Sequence, residues 1–165
     1  MKNYLFALLI FFTATALAQT DTRIYDIIQK VSAKNIEADI TTLANFGTRN
    51  TFSDTLSSTR GIGAARRWIK AQFDQISLNC EECLEVFYQK DLVKAASSNR
   101  VPRDTWVVNV VAIQKSKTGS NEYIIMSGDI DSRNSDGSDF IKDAPGANDN
   151  ASGMAGAIEA ARVLS

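Results

Sequence analysis

Apolar residues recur at helical spacing at Ile24, Ile27, Ile28 and Val31. After a break at Ser32 to Asn35 the pattern resumes at Ile36, Ile40 and Leu43. Two short amphipathic helices are predicted, each with one stripe to bury. Gly47 to Ser58 is polar and reads as a loop. From Thr59 a longer helix is expected, with Ile62, Ala65, Ile69, Phe73 and Ile76 on one face and Arg66, Lys70 and Asp74 on the other. The Arg66-Arg67 pair reads as a solvated helix face, and Trp68 and Trp106 as packing groups.

The period then changes. Leu84 to Gln89 alternates weakly, as a strand does, and Asp91 to Arg103 reads as irregular. Trp106 to Ile113 is apolar except for Asn109, a β-branched run that suits a strand covered on both faces. The polar stretch Lys115 to Asn121, with Gly119, predicts a hairpin-type turn into a strand Tyr123 to Met126. Ser127 to Asn150 is long, acidic and rich in Gly, Ser and Asn; a connection of that kind inside a domain is functional or disordered. Met154, Ala157, Ile158, Ala161 and Leu164 mark a last helix. Buried strands flanked by helices indicate an α/β sandwich with one core.

The first residues change the picture of where this domain works. Lys2 precedes the apolar run Tyr4 to Phe12, and small residues end in Ala16-Leu17-Ala18. This is the pattern of a secretory signal peptide, residues 1–18, cut after Ala18. The run is too short for a membrane anchor, which needs about 20 apolar residues, and position 19 is Gln rather than a lipid-accepting Cys. Residues 19–165 are expected to be exported to the periplasm or the exterior. Charge is nearly balanced, 18 basic against 19 acidic residues, and the basic residues are scattered. Nucleic acid and anionic membranes gain no support as partners. Cys80 and Cys83 are the only cysteines, and export favours a local disulfide between them. Glu81 and Glu82 oppose a low-pKa redox thiol, and a chain without histidine cannot complete a zinc site on two thiolates.

The chemistry concentrates around the acidic loop. Ser127-Gly128-Asp129-Ile130-Asp131-Ser132-Arg133 follows a predicted strand, at the edge where open α/β folds place ligands. The loop returns through Ala144-Pro145-Gly146-Ala147-Asn148-Asp149-Asn150-Ala151-Ser152-Gly153 into the helix. Helix capping is the generic task of an Asp such as Asp149, and Asn150 or Ser152 would serve equally. A calcium hand fails, because a count from Asp129 meets Arg133 at the fifth place and Asn134 at the sixth.

These two segments resemble the bacterial co-catalytic zinc aminopeptidase family that includes the Vibrio and Streptomyces leucine-preferring enzymes. There a strand ends in Gly-His-x-Asp-Ser, and a loop closes with Pro-Gly-Ala-Asp/Asn-Asp-Asn/Asp-x-Ser-Gly before a helix. The likeness is close over Ser127 to Leu164 and looser upstream, at Phe46-Gly47-Thr48-Arg49-Asn50 and Gly61 to Ile69. It implies a zinc-exopeptidase-type three-layer α/β/α sandwich with a mixed sheet, of which residues 19–165 form the N-terminal part. It further implies two zinc ions sharing a bridging carboxylate, each held also by one His and one carboxylate. A Glu serves as general base, and the substrate is a peptide or protein with a free N-terminus. On this resemblance Asp149 takes the bridging metal position, and Asp131 stands behind a ligand to orient it. Arg49 would brace the loop near the site.

Asp129 stands where that family has its first His. A carboxylate can ligate zinc, but oxygen ligands from Asp129, Asp131 and Asp149 suit calcium or magnesium better. The family's catalytic Glu, its adjacent Glu ligand, its later Asp and its second His have no match before Ser165. The expectation is therefore the N-terminal portion of an exported zinc-dependent aminopeptidase, inactive as this chain alone. The alternative is a non-catalytic exported protein of the same fold whose degenerate site binds a peptide or a hard cation.

Overall fold

The two short helices predicted at the start form, but the stripe of the first is not buried: Ile24, Ile27, Ile28 and Val31 are 56%, 37%, 59% and 49% exposed. The computed structural model describes residues 21–165, so the proposed signal peptide lies outside the described residues. Helix α1 spans Thr22–Lys30 and is capped by Asp21, whose carboxylate accepts from the Arg23 N–H at 3.0 Å. It belongs to a unit that ends at Val31; the elements that follow form a second, Ser32–Ser165. Among the described residues no helix is long and apolar enough to cross a membrane.

In the second unit, helix α2 spans Ala33–Asn45, and Ser32 caps it by accepting from the Asn35 N–H at 3.2 Å. Helix α3, Gly61–Asn79, has no side-chain cap at Arg60. The loop before it supplies the acceptors a helix start needs. The Gly61 and Gly63 N–H groups donate to the Phe46 and Asp54 carbonyls, each at 3.1 Å, and the Ile62 N–H to Ser53 Oγ at 2.9 Å. Ile62, Ala65, Ile69, Phe73 and Ile76 are buried as predicted, and so is Arg66, at 8% exposure. The expected solvated pair therefore divides: Arg67 is exposed and Arg66 is not. Residue 66 lies four after Ile62 and three before Ile69, which places it inside the apolar stripe.

Cys80 and Cys83 are joined by a disulfide, with Cα atoms 5.4 Å apart, at the turn into the sheet. Strands β1, Leu84–Val93, and β2, Thr105–Gln114, pair antiparallel, with Tyr88 opposite Val110 and Lys90 opposite Val108. Their shared face packs on α3, where Leu84, Val86, Val110 and Ala112 join a core of Leu43, Ile69, Phe73, Ile76, Met154 and Ile158. Helix α4 spans Ser152–Leu164. Helices beside an antiparallel hairpin place this part of the chain in the α/β class.

Two strand expectations change. β2 is not covered on both faces: Trp106, Val107 and Ile113 are 56%, 39% and 39% exposed. Tyr123–Met126 forms no strand; its four residues are 85%, 95%, 86% and 57% exposed. Extended backbone is stabilised by a hydrogen-bonded neighbour, and among the described residues no strand pairs with this segment.

The sequence pattern also conceals a buried ionic cluster. Arg162 on α4 pairs with Asp39 of α2 at 2.6 Å and with Glu159 at 3.2 Å, and donates to Gln72 of α3 at 3.1 Å. Glu159 accepts from the Ser32 N–H at 2.6 Å. Burial opposes the charge on Arg162, but these two carboxylates outweigh it and hold its pKa above the ordinary arginine value. The cluster links α2, α3 and α4 through one guanidinium.

Candidate functional site

The site rests on a buried arginine. Arg49, 1% exposed, donates through Nε to the Ile130 carbonyl at 2.9 Å. Its terminal nitrogens reach the carbonyls of Leu43 at 2.8 Å, Pro145 at 2.6 Å and Gly146 at 3.0 Å. One side chain thus joins the end of α2 to both halves of the acidic loop. A guanidinium suits this place because its donors fan out in one plane. Ser132 reinforces the joint: its Oγ accepts from the Arg49 N–H at 2.9 Å and donates to the Ala144 carbonyl at 2.5 Å. Thr48 and Ala144 form a parallel bridge beside it.

Two glycines permit the close approach. A Cβ on Gly128 would stand 2.4 Å from the backbone of Gly153 and Met154, so only glycine lets the incoming segment touch the start of α4. Gly146 has φ +50°, and a Cβ there would meet Ser132 Cβ at 2.6 Å.

Asp149 lies in a kinked turn, Ala147–Ala151, with φ −123° and ψ 91°, outside helical geometry. The Asp149–Asn150 peptide is cis. Capping falls to its neighbour: Asn150 Oδ1 accepts from the Gly153 N–H at 2.6 Å, while Ser152 Oγ donates back to the Asn148 carbonyl at 2.9 Å. The choice among Asp149, Asn150 and Ser152, open in the sequence, is decided here. Asp149 is left exposed, lining a cleft of about 250 Å³ together with Asp129, Asp131, Ser132 and Arg133.

The structure thus brings Asp129, Asp131 and Asp149 to one cleft. Among the described residues, however, no three carboxylate, thiol or imidazole groups are gathered closely enough to hold a metal ion. With no His in the chain, these donors do not fit a closed zinc shell, and the cleft holds an acidic rim rather than a formed metal centre. Burial pulls Arg49 and Arg66 below the ordinary arginine pKa. The negative charge of Asp131 opposes that shift at Arg49, as Tyr88 and Asp131 do at Arg66. Asp131 is thus the rim carboxylate most strongly felt by the buried cations.

Arg66 and the cleft beside it are what sequence reasoning missed. Its place in the 62, 66, 69, 73 spacing was the available signal. Trp106 was expected as a packing group; it stands at the end of the hairpin where β1 connects to β2, more than half exposed, on the wall of that second cleft.

Residues 109–165 match the family described as Peptidase family M28. A protein of Leptosphaeria maculans described as a probable zinc metalloprotease is 43% identical over 144 residues, covering 87% of this chain and 33% of its own length. One from Pyrenophora teres f. teres is 42% identical over 144 residues, with 87% and 29% covered. One from Pyricularia oryzae is 36% identical over 144 residues, with 87% and 28% covered. The chain spans about a third of the length of the curated relatives it matches. No solved structure matches it. The match to Peptidase family M28 takes in the acidic loop and the helix behind it, and the relatives that align with most of this chain are described as probable zinc metalloproteases.

Proposed function

We propose that this chain belongs to an exported zinc-dependent exopeptidase of the aminopeptidase type, acting on peptides with a free N-terminus. The observation that carries the reading is the division of labour at the start of α4. Asn150 satisfies the helix, so Asp149 is left facing the cleft it shares with Asp129 and Asp131. An Asp held out of helical geometry without a capping task suits ligation better than structure. Asp149 takes the bridging position, Asp131 orients, and Asp129 stands in the place of a His. Zinc dependence is supported by the relatives described as zinc metalloproteases. A zinc centre here needs ligands besides these three carboxylates, so no catalytic step is derived from them.

A second reading has its own support: an oxygen-only rim in a chain without histidine suits a hard cation and a non-catalytic role. One experiment separates the two. The coding transcript is read through and past Ser165, and the chain it encodes is purified, analysed for zinc and calcium, and assayed on an aminoacyl p-nitroanilide. Bound zinc and hydrolysis, both lost in Asp149→Asn, support the peptidase. Calcium in place of zinc with no hydrolysis establishes the second reading.

A further inference from the structure

A second cleft lies apart from the acidic one. It has a volume of about 500 Å³ between the loop at Thr51–Thr55, helix α3 and the end of the hairpin where the connection from β1 to β2 runs. Such a volume takes a small organic molecule. Register explains its lining. Lys90 and Val108 face each other across the ladder, as do Leu92 and Trp106, all on the side turned toward α3. The core residues of that face end near Val108, so the last pairs of the hairpin stand over a gap instead of over apolar packing.

Three cations line this gap: Arg66, Lys90 and Arg103. None of them makes an ion pair among the described residues. Arg66 is 92% removed from solvent by its 8% exposure, and its Nε has no hydrogen-bond partner. A buried guanidinium N–H left unpaired costs free energy, and native structures seldom leave one without an external partner. Arg103 is held in place rather than free to swing: it donates to the Phe52 carbonyl, and its guanidinium carbon lies 5.9 Å from the ring centres of both Phe52 and Phe140. The only carboxylate on the wall, Asp104, is already engaged by Lys94 at 2.8 Å and by the Ala95 N–H at 2.8 Å. The cleft therefore carries a net positive charge, with Phe52 and Trp106 as apolar walls.

We propose that this cleft binds a small organic anion, a carboxylate or phosphate monoester on an apolar body, with the anionic head at Arg66 and the body against Trp106 and Phe52. Desolvated guanidinium groups recognise either head through charge-assisted hydrogen bonds. The aromatic walls contribute contact area that inorganic anions cannot use.

The test is calorimetric titration of the full chain with phenyl phosphate, 3-phenylpropionate, inorganic phosphate and the uncharged 3-phenylpropanol, with Trp fluorescence followed in parallel. Saturable binding of one or both aromatic anions is expected, tighter than that of inorganic phosphate, with no binding of the alcohol. Which of the two binds assigns the head group. Arg66→Met is expected to weaken binding about tenfold or more, the loss of one charge-assisted contact. Equal binding of the alcohol, no saturable binding of either aromatic anion, or unchanged affinity in a folded Arg66→Met chain overturns the proposal. If Arg66→Met does not fold, the exposed pair Lys90→Ala and Arg103→Ala decides, and unchanged affinity in that double variant overturns it equally.

Discussion

Arg49 and Arg66 carry the same side chain into the same unit, and their surroundings receive it in opposite ways. Arg49 meets four backbone carbonyls, from Leu43, Ile130, Pro145 and Gly146. Arg66 is nearly as buried, yet its Nε finds nothing. A buried charge whose donors are all satisfied acts as a structural joint, whereas one with an idle donor beside a cavity is available to a ligand. Burial alone does not distinguish them; the inventory of partners does.

The sharpest way to break this contrast is to remove each guanidinium and compare stabilities. Arg49→Met leaves several buried carbonyls without a donor, and a loss of about 3 kcal/mol or more is expected from such a joint. Chemical denaturation measures it. A loss below about 1 kcal/mol would mean that water replaces the clamp and that the two loop halves are held by other contacts.

Next in size is the pair at the start of α4. Asn150→Ala is expected to cost about 1 kcal/mol, the ordinary worth of a cap, while Asp149→Ala changes stability by no more than about 0.5 kcal/mol. The same denaturation curves decide, and the reverse order would return Asp149 to a structural task. Arg66→Met belongs at this lower level too, at about 0.5 kcal/mol in either direction, since it deletes a charge whose Nε donates to no acceptor. A loss matching that of Arg49→Met would erase the distinction between the two arginines.

The smallest effect lies on the outer part of the acidic loop. Asp139 accepts from the N–H groups of Lys142 and Ile141, each at 2.9 Å, and these bonds lower its pKa from 3.8 to about 2. A carboxylate depressed on folding contributes stability above its unfolded pKa and loses it as the pH falls through the folded value. Carboxyl NMR shifts should therefore titrate for Asp139 with a midpoint near 2, after ordinary carboxylates have protonated. A midpoint near 3.8 would show that this turn is not held in solution.

Much of the frame was legible in the sequence because it depends on local periodicity. Ile62, Ile69, Phe73 and Ile76 announce α3, the Leu84 alternation announces β1, and the Cys80–Cys83 spacing suits the bridge that forms. The motif around Asp149 could be read because its loop leads directly into the recognisable helix α4. Asp39, Arg66 and Glu159 were harder to place, since each is a charged residue within an apolar stripe, and its fate depends on what the facing element presents. Tyr123–Met126 has strand chemistry, but pairing is a property of two segments, and one segment cannot report it.

By itself, then, the sequence determined the helices, the segments that become β1 and β2 and the acidic loop leading into α4, all marked by local pattern. The pairing of β1 with β2 in place of a hairpin to Tyr123–Met126 was decided by the fold. Tertiary structure alone decided that Asn150 rather than Asp149 caps the helix, that Arg49 closes the loop, and that Arg66 faces a cleft. Each of those outcomes turns on a hydrogen-bond partner, or the want of one, and mostly between groups far apart along the chain. Partners are assigned only when the whole unit has folded around them.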